Sequence, residues 1–129
     1  MNKTMLIGRL TSTPEISKTA NDKSYVRVTL AVNRRFKNEK GEREADFISI
    51  ILWGKSAETL VSYAKKGSLI SIEGEIRTRN YTDKQEQKHY VTEILGLSYD
   101  LLESRATVAL RESAVKTEEI LLEAEELPF

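Results

Sequence analysis

Between Tyr25 and Asn33 the chain alternates with a period of two: Val26, Val28, Leu30 and Val32 fall on one side, Arg27, Thr29, Ala31 and Asn33 on the other. This is the pattern of a half-buried β-strand. Residues 3 to 10 read as an earlier strand, with Met5 and Ile7 opposite Leu6, and residues 11 to 24 as a polar connection containing Pro14. Residues 46 to 53 form a third strand with Phe47, Ser49, Ile51 and Trp53 on one face and Ile48, Ile50 and Leu52 on the other. Two largely apolar faces predict a central strand or a subunit contact. The period then changes. Ala57, Leu60, Val61 and Ala64 recur at helical spacing, Ser56 is placed to cap the start, and Gly67 after Lys65 and Lys66 marks the stop.

After Gly67 the alternation returns in KGSLISIEGEIRTRNYTD, residues 66 to 83. Ile70, Ile72 and Ile76 are expected inward, with Ser71, Glu73, Glu75, Arg77, Arg79 and Tyr81 outward. Gly74 predicts a bulge or bend in that strand. A polar hairpin over residues 82 to 89 leads into a last strand over residues 90 to 102. Three strands, one helix and two strands is the order of an all-β, five-stranded Greek-key barrel of the OB type, with its short helix between strands 3 and 4. The same order fits an open α+β sheet, which spacing alone does not exclude.

Beyond Ser104 the pattern dissolves, so the expected division is an OB-fold domain over residues 1 to 104 and a tail over residues 105 to 129. The tail is rich in Ala, Glu and Leu and lacks an apolar stripe, which predicts a weakly ordered, flexible segment with helical tendency. It ends in the acidic, then apolar, run EAEELPF.

Net charge is zero, which at first argues against a polyanionic partner. Residues 1 to 104, however, carry 17 Lys or Arg against 14 Asp or Glu, while the tail carries 3 against 6. An acidic tail thus masks a mildly basic body, and phosphate contacts must come from local clusters. The opening MNKTMLIGRL is too polar for a secretory leader, and there is no long apolar run; a cytoplasmic, nucleoid-associated protein is expected. With no cysteine there is neither a disulfide nor a thiolate metal site.

Catalysis finds little support. The single histidine, His89, reads as an exposed loop residue, the six glycines form no phosphate-binding loop, and Glu73 and Glu75 continue into Arg77 and Arg79 as a row of cross-strand charge partners. The expectation is a non-enzyme without metal or cofactor. Aromatic residues among cations carry more information, because binding single strands needs flat rings for bases and positive charge for phosphates. Phe36 lies within Arg34, Arg35 and Lys37; Tyr81 follows Arg77 and Arg79 and precedes Lys84; Trp53 adjoins Lys55. Phe36 and Tyr81 are read as stacking rings. Phe47 and Trp53 share a face with Ile51, so stacking and core packing are both open for them. Tyr25, Tyr63, Tyr90 and Tyr99 are read as structural.

NKTMLIGRLTSTPE at residues 2 to 15, DFISIILWGKSAE at 46 to 58 and KKGSLISIEGEIRTRNYTD at 65 to 83 resemble the bacterial single-stranded DNA-binding protein family, in the family's order. The resemblance covers residues 1 to about 104 and the extreme C-terminus. It implies an OB barrel, usually a homotetramer around which single-stranded DNA wraps, acting in replication, recombination, repair or DNA uptake. It implies base stacking by Phe36, Phe47, Trp53 and Tyr81, and phosphate contacts by Arg34, Arg35, Lys37, Lys55, Arg77, Arg79 and Lys84. Glu125, Glu126, Leu127, Pro128 and Phe129 match in kind the family's acidic tip, which docks on replication, recombination and repair proteins. The long Gly, Pro and Gln-rich linker of full-tailed members is missing, and the acidic run is interrupted by Ala124. In this the chain resembles short accessory paralogues of Gram-positive bacteria and proteins of phages and mobile elements. The alternative in another class is an OB-fold primosomal or replication interaction module that meets DNA only incidentally.

Overall fold

The computed structural model describes residues 1–104 together with 107, 109–111, 113 and 114. Its elements are β1 (Thr4–Leu10), β2 (Ser17–Lys18), β3 (Ser24–Asn33), β4 (Ala45–Trp53), α1 (Gly54–Tyr63), β5 (Leu69–Thr82) and β6 (Lys88–Leu101). The two-residue β2, paired to the start of β3, is the only strand beyond the five expected among the described residues.

The alternating apolar positions dictate the core. Val26, Val28 and Leu30 of β3 face Ile50 and Leu52 of β4, Ile70 and Ile72 of β5, and Ile94 of β6, all buried. Ile48 and Ile50 therefore belong to the core of one chain, and β4 is the central strand of the two alternatives, flanked by β3 and β6. The neighbour order β1-β5-β6-β4-β3 is closed by a second pairing of β1, with β3, through Arg9↔Ala31 and Leu10↔Leu30. Closure rules out the open sheet, and the parallel β4–β6 pairing at Ile50↔Ile94 completes the OB topology. Helix α1 seals one end with Ala57 and Leu60 fully buried.

Three expectations about boundaries and faces are corrected. Helix α1 starts at Gly54 after Trp53, with no side-chain cap, so Ser56 lies inside the first turn. It also ends at Tyr63: Ala64 turns extended because its side chain is drawn into the core, and Gly67 serves a later turn with φ of +87°. That turn is closed by the Ser68 N–H on the Lys65 carbonyl, while Gly67 N–H donates to the Leu10 carbonyl. Ile76 is not in the core but 48% exposed, because the β5–β6 hairpin runs on past the barrel rim and leaves the inward face without a partner there.

Gly74 is the point of departure. A register shift falls between Glu73 and Gly74, the predicted bulge, and Gly74 sits opposite Gly96. At the far end, Arg111 in the described helical residues after the barrel donates to Glu103, which also accepts from Arg9 of β1. Those two guanidiniums, Arg9 first, hold the Glu103 carboxyl below the usual carboxylate range. Glu125, Glu126, Leu127, Pro128 and Phe129 lie outside the described residues.

Candidate nucleic-acid interface

Outward-facing side chains of β3, β4, β6 and β5 form one continuous surface, since cross-strand partners share a face. Tyr25 stands opposite Trp53 and Arg27 opposite Ile51 on the β3–β4 side. Ile51 leads to Leu95 across the parallel pair, and Arg77, Arg79 and Tyr81 of β5 stand opposite Glu93, Val91 and His89 of β6. Phe47 and Trp53 lie on this face, six residues apart, hence roughly 20 Å along the strand. Both are exposed, at 69% and 42%, which decides against core packing; the neighbouring Ile51 is the residue that the sheet buries. Phe36 is exposed in the β3–β4 loop and Tyr81 on the β5–β6 hairpin.

The β3–β4 loop is shaped by its own polar groups. Asn38 Oδ1 accepts from the Lys40 and Glu42 N–H groups, Gly41 adopts φ of +75°, and Arg34 N–H donates to the Glu44 carbonyl. The Arg34 side chain is engaged throughout: Nε and Nη2 reach Asp46 Oδ1 at 3.2 and 2.9 Å, and Nη1 reaches Glu44 at 2.9 Å. The hydrogen bond that Arg34 donates to Asp46 raises the Arg34 pKa, and Arg34 in turn holds the Asp46 carboxyl below the usual range. Arg77 is similarly engaged, giving Nε and Nη2 to Glu75 Oε2 at 3.1 and 2.8 Å. Arg35, Lys37, Lys55 and Lys84 are exposed and form no ion pair among the described residues.

At the hairpin, Asp83 Oδ1 accepts from the Gln85 and Gln87 N–H groups and closes the turn. Its other oxygen lies 2.7 Å from His89 Nε2, and this bond, ahead of the backbone bonds, lowers the Asp83 pKa. His89 is therefore not a loop residue. It is the second residue of β6 and stacks on Tyr81, with ring centroids 5.0 Å apart and planes 19° from parallel. The Arg79 guanidinium lies 5.8 Å from the Tyr81 centroid.

Three members of this surface escaped sequence reasoning. Tyr25 packs against Trp53 at 5.2 Å, so its structural role and the exposed aromatic face coincide. Arg27 lies 5.8 Å from the Tyr25 ring, and Glu93, almost buried, meets both Arg27 and Arg79. The outward phase of Tyr25 and Arg27 was visible in the alternation; their placement beside Trp53 depends on cross-strand register. Tyr90 and Tyr63, read as structural, are exposed.

Barrel and surface together define an OB-fold protein with exposed rings set among cations on one sheet face and its flanking loops. The sequence matches the model of the single-strand binding protein family over residues 1–102. It is 62% identical to Single-stranded DNA-binding protein 1 of Streptococcus pyogenes serotype M6, over 99% of this chain and 98% of that protein. It is 59% identical to Single-stranded DNA-binding protein 2 of Streptococcus agalactiae serotype V over the same shares. A third relative, the Single-stranded DNA-binding protein of Streptococcus mutans serotype c, is 50% identical over 83% of this chain but only 65% of its own length. The chain belongs to the single-strand binding protein family.

Proposed function

We propose that this protein binds single-stranded DNA without sequence preference, through its OB domain, and performs no chemistry on it. The observation that carries this reading is the uninterrupted outward face from Trp53 to Tyr81, extended by Phe36 in its cationic loop. Rings accept any base by its π-face, at about 1–3 kcal/mol per base, and require bases that are not already stacked in a duplex. Arg35, Lys37, Lys55 and Lys84 are the cations free to take phosphates; Arg34 and Arg77 must first exchange their carboxylate partners.

The remaining assignments belong to the same reading. Residues 1–104 carry DNA, and the acidic end, Glu125 to Phe129, captures proteins of replication, recombination or repair. Homo-oligomerisation, for which the family resemblance implies a tetramer, is supported as a subunit contact by Met5 and Ile7, which stand exposed on the outer side of β1 while Gly8 and Leu10 face the core.

Titration with oligo-dT tests the central claim, since Trp53 is the sole tryptophan. Its fluorescence is expected to fall on binding. The logarithm of affinity should decline with the logarithm of salt, by about 0.7 for each phosphate neutralised. Duplex DNA should compete poorly, and oligo-U measures discrimination against RNA. Absence of both quenching and a mobility shift at low salt would reject the proposal.

A further inference from the structure

Glu93 is the one buried acidic residue among the described residues, with 8% of its side chain exposed. An enclosed carboxylate requires compensating donors, and a neutral position would be easier to build in the middle of a sheet. Its partners come from two strands: Arg79 Nε donates to Oε1 at 3.2 Å, and Arg27 Nε lies 3.6 Å from Oε2. Both guanidiniums approach Glu93 by the Nε edge. The hydrogen bond between Arg79 and Glu93 uses Nε alone, whereas Arg34 and Arg77 give their carboxylates Nη groups as well.

Each pinned guanidinium also lies 5.8 Å from a tyrosine centroid, Arg27 at Tyr25 and Arg79 at Tyr81. Tyr25 in turn leans on Trp53. One carboxylate thus joins the two ends of the exposed aromatic face. We propose that Glu93 is a positioning residue for single-stranded DNA, and that it makes Tyr25 and Arg27 part of the binding surface. It fixes two arginine forks by one edge and leaves their outer amino groups for phosphates. The inference rests on the single-stranded DNA reading above. Its physical advantage is that a side chain already ordered loses less freedom on meeting its ligand.

Glu93→Gln tests this with opposite signs for the two accounts. Removing a negative charge from a DNA-binding face should tighten binding if charge alone matters. If Glu93 positions the arginines, oligo-dT affinity instead falls by roughly three- to tenfold, the cost of re-ordering a long side chain on binding. The maximal quench of Trp53 should shrink with it. Arg27→Lys should weaken binding in the parent and have little further effect in the Glu93→Gln background. Circular dichroism and the melting temperature establish that the variant is folded. Should it not fold, Arg27→Lys and Arg79→Lys in the full chain carry the test, since each keeps its charge and loses the Nε edge.

Glu93→Gln binding as tightly as the parent or tighter with full quenching, or both lysine variants binding like the parent, overturns the proposal. A parent protein that ignores oligo-dT overturns the single-stranded DNA reading itself, and that failure is visible before any variant is made.

Discussion

Gly74→Ala adds a single methyl group at the bulge where β5 leaves the barrel and becomes the outer arm carrying Arg77, Arg79 and Tyr81. A Cβ built there would lie 2.2 Å from the Leu95 carbonyl oxygen and 2.9 Å from Ile94 Cγ2. Carbon and oxygen do not approach closer than about 3.3 Å without strain, so backbone must move by about 1 Å. The obstacle is the neighbouring strand and not the flexible end of a side chain. Gly74 is also paired to Thr4 on its other side, which leaves β5 no free direction in the sheet. Overpacking of this kind costs about 1–3 kcal/mol, and a backbone collision belongs at the top of that range. About 3 kcal/mol lowers the folding constant roughly a hundredfold.

Gly41→Ala is the matched control. It has a positive φ of 75° but nothing within 4 Å of the added Cβ, so only the conformational cost of about 1 kcal/mol applies. Urea unfolding of the two variants and the parent, followed by circular dichroism, measures both. The midpoint of Gly74→Ala should fall about three times as far as that of Gly41→Ala, and its oligo-dT affinity should drop as the arm is re-aimed. Equal midpoints for the two variants would refute the reasoning that contact at the bulge, and not glycine's backbone freedom, sets the path of β5.

Leu52→Ala, at a fully buried core position beside Gly96 of β6, should cost about 2–5 kcal/mol in thermal or urea unfolding and leave the salt dependence of DNA binding unchanged. Lys37→Gln should leave stability unaltered and reduce the salt slope of oligo-dT binding by about 0.7. Arg34→Gln should weaken binding beyond its own charge, because Glu44 and Asp46, which end the loop that carries Phe36, lose their common partner; a loss no larger than that of Lys37→Gln would count against this role of the ion pairs. Glu103, its pKa depressed in the folded chain by Arg9 and Arg111, stabilises the fold fully above its unfolded pKa of about 4.3. That contribution disappears as pH falls through the lower folded value. The urea midpoints of the parent and Glu103→Gln should therefore differ at pH 6 and converge below pH 4.

The period-two runs along the chain, with the helical spacing between the third and fourth of them, were enough to predict five strands and one helix in order; closing them into a barrel took the β1–β3 pairing. Gly74 within an alternating strand pointed to a bulge or a bend, and the register shift between Glu73 and Gly74 shows the bulge. Alternation tells which residues share a face of one strand; it does not tell what lies across from that face. Burial of Ile51 beside exposed Phe47 and Trp53, and exposure of Ile76 in line with buried Ile70 and Ile72, depend on how far the neighbouring strands extend. The helix boundary moved for a related reason: local capping preference at Ser56 and Gly67 yielded to the burial of Ala64.

The candidate rings could be picked out from the chain, since Phe47, Trp53 and Tyr81 stand in segments that resemble the family and Phe36 stands among the cations of its loop. Which cations are free was not. Arg34 and Arg77 meet carboxylates within two to twelve residues, yet only the folded loop and strand show those contacts forming. Glu93 meets Arg79 and Arg27 at separations set by hairpin register and by the parallel β4–β6 pairing, quantities with no local signature in sequence. Sequence determined the elements through periodicity, the family through shared motifs, and the kinds of side chain available through composition. Tertiary structure alone decided which charges are spent on one another and which face outward together, because cross-strand register and barrel closure bring residues distant in the chain into contact.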